Sequence, residues 1–185
     1  ALQTEARGKE IYETAIRAAQ NPDLQSEWEG YLEHTHEHHA RLVAVMDTLG
    51  IDTAEDTAAL SIVRRKSRAL VEIMEVAMQS LPPEQAELVA GECVVEAEQK
   101  DHLNWSLLEH VVEHGPKDVA DALRDAVEAT KEQEAEHLFH TRGFTRELWI
   151  QWLGFQAALP PPEEEKSVKT SIGAGRAENA REQYV

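Results

Sequence analysis

The sequence has 185 residues, of which 42% are hydrophobic, and a formal net charge of −17 with the histidines neutral. That length gives one domain with a single sizeable core, and the acidic balance argues against nucleic acid and an anionic membrane surface as partners. No apolar run is long enough to span a membrane and no signal peptide is visible, and the lone Cys93 rules out an intrachain disulfide and favours a reducing, cytoplasmic setting.

Residues 2–19 carry Leu2, Gly8, Tyr12, Ala15, Ile16 and Ala19 on one helical face, and Glu5 lies inside that stripe. Asn21-Pro22 reads as an N-cap followed by proline in the first turn, so a second helix over 22–49 follows almost at once. The inward stripe of this second helix is Leu24, Trp28, Tyr31, Leu32, Thr35, Leu42, Val43, Met46 and Leu49, and Gly50 ends it. Its middle reads EHTHEHH. There His38 and His39 flank the apolar stripe, His36 lies at its edge, and His34 and Glu33 fall on the polar side.

Residues 52–56 are polar and turn-like, and a third helix over 57–80 has a clean stripe through Leu60, Val63, Leu70, Met74 and Ala77 with no inward acid. Its length, roughly 35 Å at 1.5 Å per residue, suits a crossover from one end of a bundle to the other. Pro82-Pro83 starts a fourth helix over 84–114, with an apolar arc of Val89, Cys93, Ala97, Leu103, Leu107 and Val111 that includes Glu96 and Lys100. Gly115-Pro116 then opens a fifth helix to about residue 142. On it Leu123, Val127, Thr130, Leu138 and Thr141 share a face with Glu134 and His137.

Glu134 and His137 stand one turn apart, about 60° from each other, and point toward the core. An unpaired charge there would cost several kcal/mol, so a partner is required. The two tight links supply one. Counting outward from residues 20–21 brings Glu5 level with His36, beside His38 and His39; counting from 115–116 brings Glu96 level with Ala135, between Glu134 and His137. Residues 143–159 form a short Trp-rich segment that caps the bundle or docks on another subunit, and residues 160–185 read as an extended or disordered tail.

Two antiparallel hairpins joined by a long crossover, with inward carboxylates and histidines at mid-height, resemble the ferritin-like diiron and dimanganese carboxylate proteins. The run YLEHTHEHHARLVAVMDTLG is also similar to the second helix of small bacterial ferritin-like stress-response proteins. The resemblance covers residues 2–142 and implies an all-α, ferritin-like four-helix bundle. In that superfamily a Glu comes from each of two helices and a Glu-x-x-His from each of the other two. Glu5 and Glu96 match the single glutamates, Glu134 with His137 matches one Glu-x-x-His, and His38 matches the second histidine. Thr35 stands where the second glutamate belongs.

The expected ligands are therefore Glu5, His36, His38, His39, Glu96, Glu134 and His137, with the choice among the three clustered histidines open. Two iron ions are expected if His36 or His39 replaces the missing carboxylate; manganese, a mixed pair or a single ion are the alternatives. The function implied is reaction with O2 or peroxide, as a ferroxidase, a peroxide scavenger or a small-substrate oxidase, in a homodimer or larger assembly joined by the Trp-rich segment. The competing readings are metal storage without turnover and a structural bundle whose buried charges only set helix register, with Lys100 and Lys131 pairing the acids. Cys93, Tyr12 and Trp28 read as core, and His102, His110 and His114 fall outside the site.

Overall fold

Side-chain caps and prolines begin the helices where the sequence places them. Asn21 accepts hydrogen bonds from the N–H groups of Asp23 and Leu24, both at 3.0 Å, with Pro22 in the first turn. Thr57 caps the next helix by accepting from Leu60 N–H at 3.2 Å. The computed structural model describes residues 1–54 and 57–185. Its helices are α1 (Leu2–Ala18), α2 (Pro22–Thr48), α3 (Ala58–Ser80), α4 (Pro83–His114), α5 (Lys117–Trp152), α6 (Pro162–Glu165) and α7 (Ser171–Asn179), followed by a 3-10 turn at Arg181–Gln183. No strand occurs among the described residues, so the chain is all-α. Asp52 makes the expected turn by accepting from Ala54 N–H, while Glu55 and Asp56 of that segment lie outside the described residues.

The five long helices form a bundle in which α1 packs against α2, α3 and α4, and α5 packs against α2 and α4. Glu5 lies beside His38 and Gly8 against Thr35, so α1 and α2 run in opposite directions. Gly91 against Thr145 and Glu98 beside His137 give the same relation for α4 and α5. Contacts of Arg17 with Glu75 and of Arg64 with Gln3 set α3 parallel to α1.

Two of the three buried apolar clusters lie within the bundle of long helices. One holds Tyr12, Leu24, Trp28, Met74, Leu88, Val94, Phe144 and Leu148; the other holds Leu42, Val45, Trp105, Leu123 and Val127. On each of α2, α4 and α5 these two parts are separated along the sequence by buried acids or histidines. A polar layer thus crosses the middle of the bundle, closed above and below by side chains that exclude water.

Two expectations about the C-terminal third are corrected. The fifth helix does not stop near residue 142 but continues through Gly143 to Trp152, because Phe144 and Leu148 extend its buried face into the first core cluster. The turn comes instead at Gly154, whose φ of +86° favours glycine. Nor is 160–185 extended. Val168, Ala174 and Ala177 pack on Ala135, Leu138 and Phe139 of α5. Arg146 donates to both oxygens of Glu163 at 2.7 and 3.0 Å, and the buried Glu147 accepts from Arg181 at 2.9 Å and from Ala158 N–H at 2.8 Å. The tail has few apolar residues, and these ion pairs join positions too far apart in sequence to show as a pattern. Glu147→Ala would take the carboxylate from Arg181 and one of two from Arg146, which keeps Glu163, at a cost of about 1.5–3 kcal/mol; limited proteolysis should then cut within residues 160–185 faster than in the parent chain.

Candidate metal centre

Four long helices send side chains into the polar layer. From α1, the Glu5 carboxylate accepts a hydrogen bond from the Trp105 indole N–H at 2.7 Å and lies 3.6 Å from His38 Nδ1. From α2, His38 is fully buried, with Nε2 at 2.9 Å from Gln133 Oε1 and Nδ1 at 3.0 Å from Glu134 Oε1. From α5, His137 Nδ1 lies 3.6 Å from Glu98 Oε2 and 3.8 Å from Glu134 Oε1, while its Nε2 sits 3.1 Å from His34 Nδ1. From α4 come Glu98 and Asp101, both buried.

These residues make two buried groups whose ligand atoms lie within 4.8 Å of one another: Glu5, His38 and Glu134, and Glu98, Glu134 and His137. Glu134 belongs to both. Five of their polar atoms are buried without a hydrogen-bond partner: Glu5 Oε2, His38 Nδ1, Glu98 Oε2, Glu134 Oε2 and His137 Nδ1. The approach of His38 Nδ1 to Glu134 is close, but its angle is not that of a hydrogen bond. Each such orphan costs about 1–3 kcal/mol. A cation would satisfy carboxylate oxygens and imidazole lone pairs together, as would a water that donates to both.

Protonation favours a cation at His137 and opposes it at His38. Burial pushes the Glu98 carboxyl up to about 7. Burial and then repulsion from the other acids hold Glu134 and Asp101 well above the ordinary carboxyl range. Burial, then the neighbouring His38 and His34, push His137 well below the usual imidazole value, which keeps it neutral as a ligand must be. Burial works to lower His38 too, but Glu5, Gln133 and Asp101 outweigh it and raise it. If His38 Nε2–H donates to Gln133, its bare Nδ1 is left for the metal, the usual way a ligating histidine is oriented. The donor set of carboxylates and imidazoles suits Fe, Mn or Zn.

Of the expected ligands the structure brings together Glu5, His38, Glu134 and His137. Glu96 is corrected: it is exposed and lines a groove between α1, α3 and α4. The buried stripe of α4 is Glu87, Gly91, Val94, Glu98, Asp101 and Trp105, whereas Leu103 and Leu107 are 50% and 57% exposed. Reading the leucines as inward rotated this helix away from its acids. The alternating three- and four-residue spacing of that stripe, and an indole at Trp105 needing an acceptor, were the signals available.

His36 is exposed, and the half-buried His39 lines a separate cavity with Ala1, Leu2 and Val43, so neither joins the layer. His34, expected on the surface, faces His137 instead. No carboxylate stands at Thr35, which donates to Tyr31 C=O at 2.8 Å within its own helix, and the buried Asp101 of α4 accepts from Asn104 at 3.4 Å and belongs to neither group. The lysines expected to pair the buried acids bond elsewhere, Lys100 to Asn104 and Lys131 to Glu109. Cys93 is core, its thiol pushed by burial to about 11. No helix among the described residues is long and apolar enough to cross a membrane. Comparison with protein-family models, with curated proteins and with solved structures finds no match to this chain.

Proposed function

We propose that this chain is a ferritin-like metal protein whose buried layer holds two Fe or Mn ions and reacts with O2 or peroxide. In this reading α1–α2 and α4–α5 are the two antiparallel hairpins of a four-helix bundle, and α3 is the crossover that lets α4 start from the far end. The observation that carries the proposal is the convergence of five orphaned ligand atoms, from all four hairpin helices, on one layer. Glu5 and His38 would hold one ion and Glu98 and His137 the other, with Glu134 between them. Bound there in reduced form, the pair would supply the electrons that O2 or peroxide takes up.

The protein's part is to hold and to exclude. Trp105 fixes Glu5, Gln133 and His34 orient the two imidazoles, and the apolar clusters on either side keep water out. Trp152, Leu153 and Phe155, exposed at the end of α5, are the face we assign to self-association, which sedimentation of the full chain tests.

The first experiment is elemental analysis of untagged protein grown in iron- and manganese-supplemented medium, followed by O2 consumption on adding Fe(II) to the metal-free form. About two equivalents of metal and rapid O2 uptake are expected. Metal without O2 or peroxide consumption would make the protein a store. If no metal is bound and none is taken up, the metal reading is overturned and the layer is a structural device that fixes helix register.

A further inference from the structure

A cavity of about 440 Å³ opens on the α2/α5 side of the bundle and is lined by Glu27, Tyr31, His34, His140 and Glu164, among others. Its donors are not those of an ordinary surface groove. His140 is only 6% exposed, and its Nε2 has no hydrogen-bond partner; Glu164 Oε2 is likewise buried and unpaired. The other ring nitrogen of His140 is anchored, 3.3 Å from the Tyr31 hydroxyl and 3.5 Å from Glu27, and Tyr31 itself donates to Glu27. Anchoring Nδ1 in this way fixes the ring and leaves Nε2 as a spare ligand atom. A third carboxylate on the wall, Glu136, is neutralised by Lys169 at 3.1 Å.

The cavity also leads somewhere. His34 lines it, and His34 Nδ1 is 3.1 Å from Nε2 of His137, one ring away from the proposed centre. The wall is open at Gly30, where an added Cβ would meet nothing within 4 Å. A second cavity, of about 410 Å³, reaches Glu134 from the α4/α5 side, but its other carboxylates are already paired, Glu109 with Lys131 and Glu132 with Lys169.

We infer that the α2/α5 cavity is the entry site for the metal, where Glu27, His140 and Glu164 take a divalent first-row cation from solution and His34 receives it on the way to His137. The inference rests on the metal centre proposed above. The donor types match those of the centre, so the same ions are accepted at both. The entry site has the same two carboxylates and one imidazole as each buried group, but their ligand atoms are not gathered within 4.8 Å of one another as the buried ones are, and so it holds the ion more weakly and releases it inward. The acidic, partly enclosed wall concentrates cations at the mouth, an effect that raises association rates by about tenfold to a thousandfold.

Co(II) is a suitable probe, since its visible bands report entry into a protein site without redox turnover. Loading of the metal-free full chain would be followed by stopped-flow absorbance in the parent and in Glu27→Gln, Glu164→Gln, His140→Phe and Gly30→Leu. Gly30→Leu fills the mouth without changing charge and separates obstruction from lost ligation. Lys131→Ala, on the opposite cavity, is the control. The expected result is loading slowed by about tenfold or more in the four cavity variants, with the final absorbance and stoichiometry of the parent and no slowing in the control. Parent-like rates in all four variants would overturn the entry site. So would a fall in final stoichiometry without a change in rate, which would make these residues part of the storage centre. If the parent itself takes up no Co(II), the centre fails first, and the entry site falls with it.

Discussion

Replacing Glu134 with alanine is expected to remove both metal ions at once, while Glu5→Ala and Glu98→Ala each remove one. The reason is geometric: Glu134 belongs to both buried groups, whereas Glu5 belongs to the one with His38 and Glu98 to the one with His137. Elemental analysis of the reloaded variants checks this, with circular dichroism to confirm that each is still helical. The metal-free Glu134→Ala protein should escape the loss of about 3–5 kcal/mol that breaking a needed buried ion pair carries, because burial and then the other acids raise the Glu134 carboxyl well above the ordinary range and so disfavour its charged form. Glu96→Ala is the control, since that side chain is exposed and should change nothing. Two equivalents retained in Glu134→Ala would rule out a centre bridged by this residue.

Glu98→Gln is expected to have opposite effects on the metal-free and metal-loaded protein. In the metal-free fold burial raises the Glu98 carboxyl to about 7, above its value in the unfolded chain. Its contribution to stability is therefore fully present below the ordinary carboxyl range, near pH 4, and is lost as pH rises through about 7. Glutamine imitates the protonated form at every pH. The metal-free variant should match the parent near pH 4 and exceed it at pH 8 by roughly 3 kcal/mol, at about 1.4 kcal/mol per pKa unit. With Mn(II) or Fe(II) present the order reverses, because the parent exchanges the proton for a metal and gains binding free energy that the variant lacks. Melting curves at both pH values, with chelator and with metal, measure all four cases. A variant less stable than the parent at pH 8 without metal would mean that the carboxylate is already paired within the protein.

The helices were legible because their signals are local. Asn21-Pro22, Pro82-Pro83 and Gly115-Pro116 each combine a stop with a start, and the structure places helix boundaries at all three. Glu5, His38, Glu134 and His137 were legible for a related reason: each shares a face with strongly apolar neighbours, so periodicity alone turns it inward. Glu98 and Asp101 were not. The buried face of α4 carries Glu87, Gly91 and Asn104 beside them, while Leu103 and Leu107 face outward, so the hydrophobic pattern points to the wrong side. His34 was missed because its burial comes from α5 packing over it, not from its own helix.

The sequence by itself determined an all-helical chain, the ends of the hairpin turns, and an acid–imidazole layer at mid-height, since helix periodicity and capping act over a few residues and need no partner. Only the tertiary structure decided which acids of α4 enter that layer, that Glu134 lies between two groups, and that the tail folds back on α5 through Arg146, Arg181, Glu147 and Glu163. Those choices depend on how one helix rotates against another. That rotation is set by side chains distant in sequence, Gly91 against Thr145 and Trp105 against Glu5 among them, whose contacts exist only once the helices have packed.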